Sequence, residues 1–153
     1  MTTNQIELMR PGARTAVTTC MGVNASDTVF ILTDEVTHDI GRLLAQEAAE
    51  TGAKVLLRGL EEFGPRPMTA LGDSLKETIA EFRPTVSFYA ASSQPGEVPM
   101  RMALRGYLLD GFKVRHGHMP GVTPRLMIEG MGTDYNLVAA VTWAVYALGR
   151  KSR

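Results

Sequence analysis

The sequence has little of what usually marks a function outright. It holds one cysteine, Cys20, so no intrachain disulfide can form. That usage fits a reducing compartment and sets a cytoplasmic expectation. Charge of neither sign is in surplus, with 16 Lys plus Arg against 16 Asp plus Glu. Phosphate backbones attract a basic surplus or a basic face, so nucleic acid is not the expected partner. Arg150, Lys151 and Arg153 cluster at the end and read as a solvated terminus. No long hydrophobic run exists either. The longest stretch, Leu137 to Leu148, is interrupted by Thr142 and is too short to span a bilayer. The first twelve residues carry no signal-peptide core. G-x-G-x-x-G after a strand, G-x-x-x-x-G-K-[ST], H-E-x-x-H and G-x-S-x-G are all lacking. Gly130-Met-Gly-Thr-Asp134 is glycine-rich, but no strand precedes it, so it reads as a turn.

What is present is a fold pattern. The 153 residues, 44% of them hydrophobic, suit a single α/β domain over 1–153, or the N-terminal half of a longer two-domain protein. Its centre is Asp27 to Thr37, DTVFILTDEVT, a β-branched apolar run that ends in Asp34 and Glu35 and feeds a helix. Such a junction opens a βαβ unit, and ligands commonly bind there. Before it, Pro11 to Met21 shows helical spacing, with Ala13, Ala16, Val17, Cys20 and Met21 on one face. Cys20 is therefore expected as a small buried hydrophobe. After it, Thr37 caps a helix carrying Ile40, Leu43, Leu44 and Ala48, and a second strand starts near Lys54. Pro65 and Pro67 mark residues 61–72 as loop. A capping box at Ser74 and Glu77 starts the next helix, and Pro84 stops it. Thr85 to Ala91 is the third strand and Pro99 to Asp110 the fourth helix. Lys113 to His116 is a short edge strand, and Thr123 caps a short helix at Pro124. The last helix, from Thr133 or Asp134 to Gly149, carries Val138, Val141, Val145 and Leu148 on one side. Leu137, Ala140, Ala144 and Tyr146 widen that surface past one stripe. A helix of that kind is deeply buried or presses on another chain or domain. Right-handed crossovers then predict a doubly wound, mostly parallel four-stranded sheet, order 2-1-3-4, with helices on both faces.

Three loops meet at the carboxyl ends of those strands. Thr33, Asp34, Ser92 and Ser93 flank the predicted switch point and are the candidate small-molecule ligands, with backbone N–H groups and hydroxyls suited to an anion. Equally, Asp34 is a loop organiser and the serines are ordinary loop residues. His116 and His118, two apart on an extended chain, face one side and are the candidate metal ligands; His38 and Asp34 are the nearest third partners in the pattern. No catalytic residue is assigned.

Several stretches resemble the aminopeptidase T-like family of metallopeptidases. These are Ala13-Arg-Thr-Ala-Val-Thr-Thr-Cys-Met-Gly-Val23, the strand Val29 to Asp34 with Ile40-Gly41 behind it, Met119-Pro-Gly-Val-Thr123 and Asp134-Tyr135. The resemblance runs from about residue 13 to 149. It implies a two-domain, homodimeric hydrolase whose paired divalent metals sit in a C-terminal domain, on Glu, His and Asp ligands. No position here matches those ligands. The resemblance therefore implies a non-catalytic N-terminal domain, without a cofactor of its own, that walls the active site, gates substrate access and supports assembly. The residue patterns alone leave three alternatives: a free-standing small-molecule binder, a metal-dependent enzyme using His116 and His118, and a homo-oligomeric module joined by the last helix. None of the readings has a membrane partner.

Overall fold

A computed structural model describes residues 2–151, with the side chain of Lys151 left aside. Helix α1 spans Thr3–Arg14 and runs into a π-helical turn, Thr15–Cys20. The α/β succession follows: β1 Thr28–Thr33, α2 His38–Glu50, β2 Lys54–Gly59, α3 Asp73–Phe82, β3 Val86–Tyr89, α4 Val98–Gly106 and β4 Arg115–His118. Helix α5, Tyr135–Lys151, closes the described chain. The sheet is wholly parallel, in the order β2-β1-β3-β4, as the crossovers predict.

Alternation along the strands divides the core into two layers. Val29, Ile31, Val86 and Phe88 face α1 and α2, packing with Met9, Ala13, Val17, Ile40, Leu43 and Leu44. Phe30, Leu32 and Tyr89 face α3 and α4, packing with Leu75, Ile79, Met100 and Leu104. Strand β1 is buried along nearly its whole length because helices cover both its faces. The first layer is closed by Glu47 of α2, 2% exposed, which accepts from Arg10 at 2.9 Å and Arg14 at 2.8 Å on α1. Gly12 lets α1 approach the 126–130 turn, since a Cβ there would lie 2.0 Å from the Met127 carbonyl oxygen.

Several expectations from the sequence are corrected. The first helix begins at Thr3, not Pro11. Thr2 and Gln5 form a reciprocal capping box, so Pro11 lies inside the helix. Cys20 is exposed rather than buried. The π-helical turn over residues 15–20 is wider than an α turn, so it shifts the phase and rotates Cys20 off the face that carries Ala13, Ala16 and Val17. Thr37 precedes α2 but makes no side-chain cap, because its hydroxyl serves Asp34 and the Ala90 carbonyl instead. Helix α3 starts one residue before Ser74, with Gly72 in the capping position, so the expected box does not form. Strand β4 begins two residues later than expected, after Lys113 in left-handed backbone (φ 57°), and contains both histidines. Thr123 does cap its short helix, accepting from the Leu126 N–H at 3.2 Å. Among the described residues no helix is long and apolar enough to cross a membrane.

Candidate functional site

The carboxyl ends of β1 and β3 do form a polar centre, and Asp34 is its pivot. The chain leaves β1 at Thr33 and turns at once, so the Asp34 carboxylate stays buried, 1% exposed. Its Oδ1 accepts the Thr37 backbone N–H at 2.9 Å, and the Thr37 hydroxyl lies 2.7 Å away. Its Oδ2 accepts the Ser92 backbone N–H at 2.8 Å and also the Ser92 hydroxyl. The loop after β1 is thereby tied to the loop after β3. Thr33 belongs to the same knot, with its hydroxyl 2.9 Å from that of Thr37. Ser93 lies outside it and is exposed.

The residues that complete this centre were not among the sequence candidates. Arg66 comes from the 61–72 loop and is 5% exposed at its side chain. Its Nη1 donates to Asp34 Oδ2 and to Ser92 Oγ, the latter at 3.2 Å. Its Nη2 donates to the Ser92 carbonyl at 2.9 Å and to Glu97 Oε2 at 2.5 Å, and Nε donates to Glu97 Oε1 at 2.8 Å. Glu97, just before α4, is fully buried and also accepts the Met68 N–H at 3.1 Å. One guanidinium thus bridges two buried carboxylates and clasps three loops. Charge-assisted bonds of this kind are the strong ones.

The electrostatics follow the contacts. Burial pushes the Asp34 carboxyl up, but hydrogen bonds from Ser92 and Thr37 outweigh it and hold the group at about 2. The Arg66 hydrogen bond keeps Glu97 below its usual range against the cost of burial. Glu97 in turn leads the interactions that raise Arg66. Both acids are therefore carboxylates at neutral pH, with every oxygen already engaged. That is the chemistry of a loop organiser. A proton carrier needs a value near its working pH.

The histidines stand on the other side of β3. His116 pairs with Ser87 and His118 with Tyr89 across β3 and β4, on the α3/α4 layer. The Ser87 hydroxyl is 2.8 Å from His116 Nδ1, and His116 Nε2 is 3.3 Å from His118 Nδ1. His118 stacks on the Tyr89 ring with centroids 5.6 Å apart. Burial lowers His116 to about 4, with the charges of His118 and Arg105 adding to it. Burial also lowers His118, with help from Arg101 and Arg105.

A separation of 3.3 Å also suits two nitrogens sharing one tetrahedral cation. The two partners suggested by sequence do not join them. His38 begins α2 on the opposite layer, and Asp34 is committed to Arg66, Ser92 and Thr37. Among the described residues no group of three His, Cys, Asp or Glu side chains could hold a metal ion. Compared with known proteins, the chain matches no protein-family model and no curated protein.

Proposed function

We propose that this chain is a non-catalytic α/β domain that works inside a homodimer, and that α5 is the surface through which two copies join. The observation that carries it is α5 itself. Every residue from Asn136 to Arg150 is exposed, including Leu137 at 61%, Val141 at 56%, Trp143 at 68% and Leu148 at 66%. A helix apolar nearly all round belongs in an interior, so something covers it in the working protein.

A second copy suits it for two reasons. Leu137, Val141, Ala144 and Leu148 recur at steps of four, three and four, a seam that interlocks with a like seam. Asp134 precedes α5 and Arg150 lies in its last turn, with no charged residue between them. Antiparallel copies place each Asp134 beside the partner's Arg150 and oppose the helix dipoles favourably.

The sequence resemblance supplies the setting for this domain. In an aminopeptidase T-like metallopeptidase it would wall and gate an active site whose divalent metals another domain carries. The rigid, internally satisfied Asp34–Arg66–Glu97 centre suits a supporting wall of that kind.

Trp143 is the sole tryptophan and lies on α5, so its emission reads the contact directly. On concentration from nanomolar to micromolar, the emission should shift to the blue along a saturable curve. Solvent-exposed emission at every concentration would overturn the pairing. The chain alone, with zinc, cobalt or manganese added, should not hydrolyse amino-acid p-nitroanilides. Turnover that scales with chain concentration would overturn the non-catalytic assignment.

A further inference from the structure

Two buried polar atoms have no hydrogen-bond partner among the described residues, the Tyr89 hydroxyl and Arg101 Nε. They belong to one neighbourhood. Tyr89 is fully buried at the end of β3 and Arg101 is 9% exposed on α4. Tyr89 packs in one core cluster with Met100 and Leu104, which bracket Arg101 on α4, and His118 stacks on the Tyr89 ring with centroids 5.6 Å apart; Arg105 follows Arg101 one turn along α4. Neither arginine has a carboxylate within ion-pair distance among the described residues. Glu97 is the acid felt most strongly at Tyr89, and its oxygens are held by Arg66 and the Met68 N–H. Buried donors left without an acceptor are costly, and native proteins rarely leave them so without a use.

The histidines add a third donor. The Ser87 hydroxyl can donate to His116 Nδ1. The proton on His116 Nε2 then points to His118 Nδ1, and His118 carries its own proton on Nε2. His118 is exposed, so this donor chain opens at the surface beside the buried Tyr89 ring on which His118 stacks.

We propose that Tyr89, Arg101, Arg105 and His118 form a binding site for a small oxyanion, a carboxylate or a phosphate group. The Tyr89 hydroxyl and the Arg101 guanidinium form its floor, while His118 and Arg105 form its rim. The site is separate from the Asp34 centre, whose acids are already satisfied, and does not depend on α5.

Titration calorimetry at low ionic strength tests this with inorganic phosphate and acetate as separate probes and chloride as the ionic-strength control. One of the two oxyanions should bind saturably, and the tighter one identifies the headgroup. Tyr89→Phe keeps the ring packing and removes one donor to a charged acceptor, so affinity should fall about 10-fold or more. Arg101→Gln should abolish binding. Should Arg101→Gln fail to fold, the Tyr89→Phe result decides alone. No saturable binding of either oxyanion up to tens of millimolar would overturn the site. So would binding that chloride reproduces, or that Tyr89→Phe leaves unchanged.

Discussion

Replacing Arg66 by methionine removes the clasp and leaves its surroundings in place. The side chain keeps an apolar stem of similar length but loses every donor. Asp34 and Glu97, both with side chains at 0% exposure, are then left as buried carboxylates without their cation. Asp34 retains its bonds from Ser92 and Thr37, while Glu97 keeps only the Met68 N–H at 3.1 Å. Breaking a buried ion pair from one side costs about 3–5 kcal/mol, because the remaining charge stays in a low-dielectric site. A domain of this size is stable by about 5–15 kcal/mol, so Arg66→Met removes a large share of the total. Urea unfolding at pH 7, with the midpoint and slope followed by circular dichroism, measures it. Arg125→Met is the control, because its ion pair with Glu129 is exposed on both sides and should contribute less than about 0.5 kcal/mol. A triple variant, Asp34→Asn, Arg66→Met and Glu97→Gln, should be more stable than Arg66→Met alone, since no charge is then stranded. A loss below about 1 kcal/mol for Arg66→Met would refute the role given to the clasp.

Acid should act in two stages. His116 titrates at about 4 when folded, below the usual imidazole value, so the unfolded chain binds the extra proton and stability declines as pH falls from about 6.5 to about 4. His116→Asn should shrink that stage and leave the share of His118, which burial also lowers. Asp34 titrates at about 2 when folded, so its contribution is complete above about pH 5 and disappears as pH falls from about 4 to about 2. At about 1.4 kcal/mol per pH unit, trimmed for solvent screening, this second stage amounts to ~1–2 kcal/mol. Asp34→Asn should flatten it in urea midpoints measured across pH. Gly12→Ala should destabilise by about 1–3 kcal/mol because the added carbon meets the Met127 carbonyl oxygen, whereas Gly106→Ala, with its nearest neighbour at 3.8 Å, should stabilise by about 0.5–1 kcal/mol. Differential scanning calorimetry on the two glycine variants checks the opposite signs.

The strand order was legible because the local signals agree with one another. VFIL, VLL and SFY are short apolar runs separated by helical periods, and right-handed crossovers leave few arrangements for them. The position of Asp34 at the end of the central strand was legible for the same reason. Its partner was not. Arg66 lies 32 residues beyond Asp34 and 31 before Glu97, in a loop whose prolines announce only irregular backbone. A lone arginine between two prolines was the one local hint. Glu97 reads as a loop residue until β3 and α4 bring it over Arg66. The two histidines were legible as a pair sharing one face, but their companions Ser87, Tyr89 and Arg101 come from a neighbouring strand and a helix. Cys20 misled because a π-helical turn breaks the period that placed it.

The proposed pairing through α5 is tested most directly by multi-angle light scattering on the parent and on Val141→Glu. The parent at micromolar concentration should have twice the chain mass of 16.6 kDa. The variant places a carboxylate in the seam, which should weaken the pair at least 100-fold and return it to a monomer. A parent that is already monomeric, or a Val141→Glu variant that stays dimeric, would contradict the assignment of α5 as the joining surface.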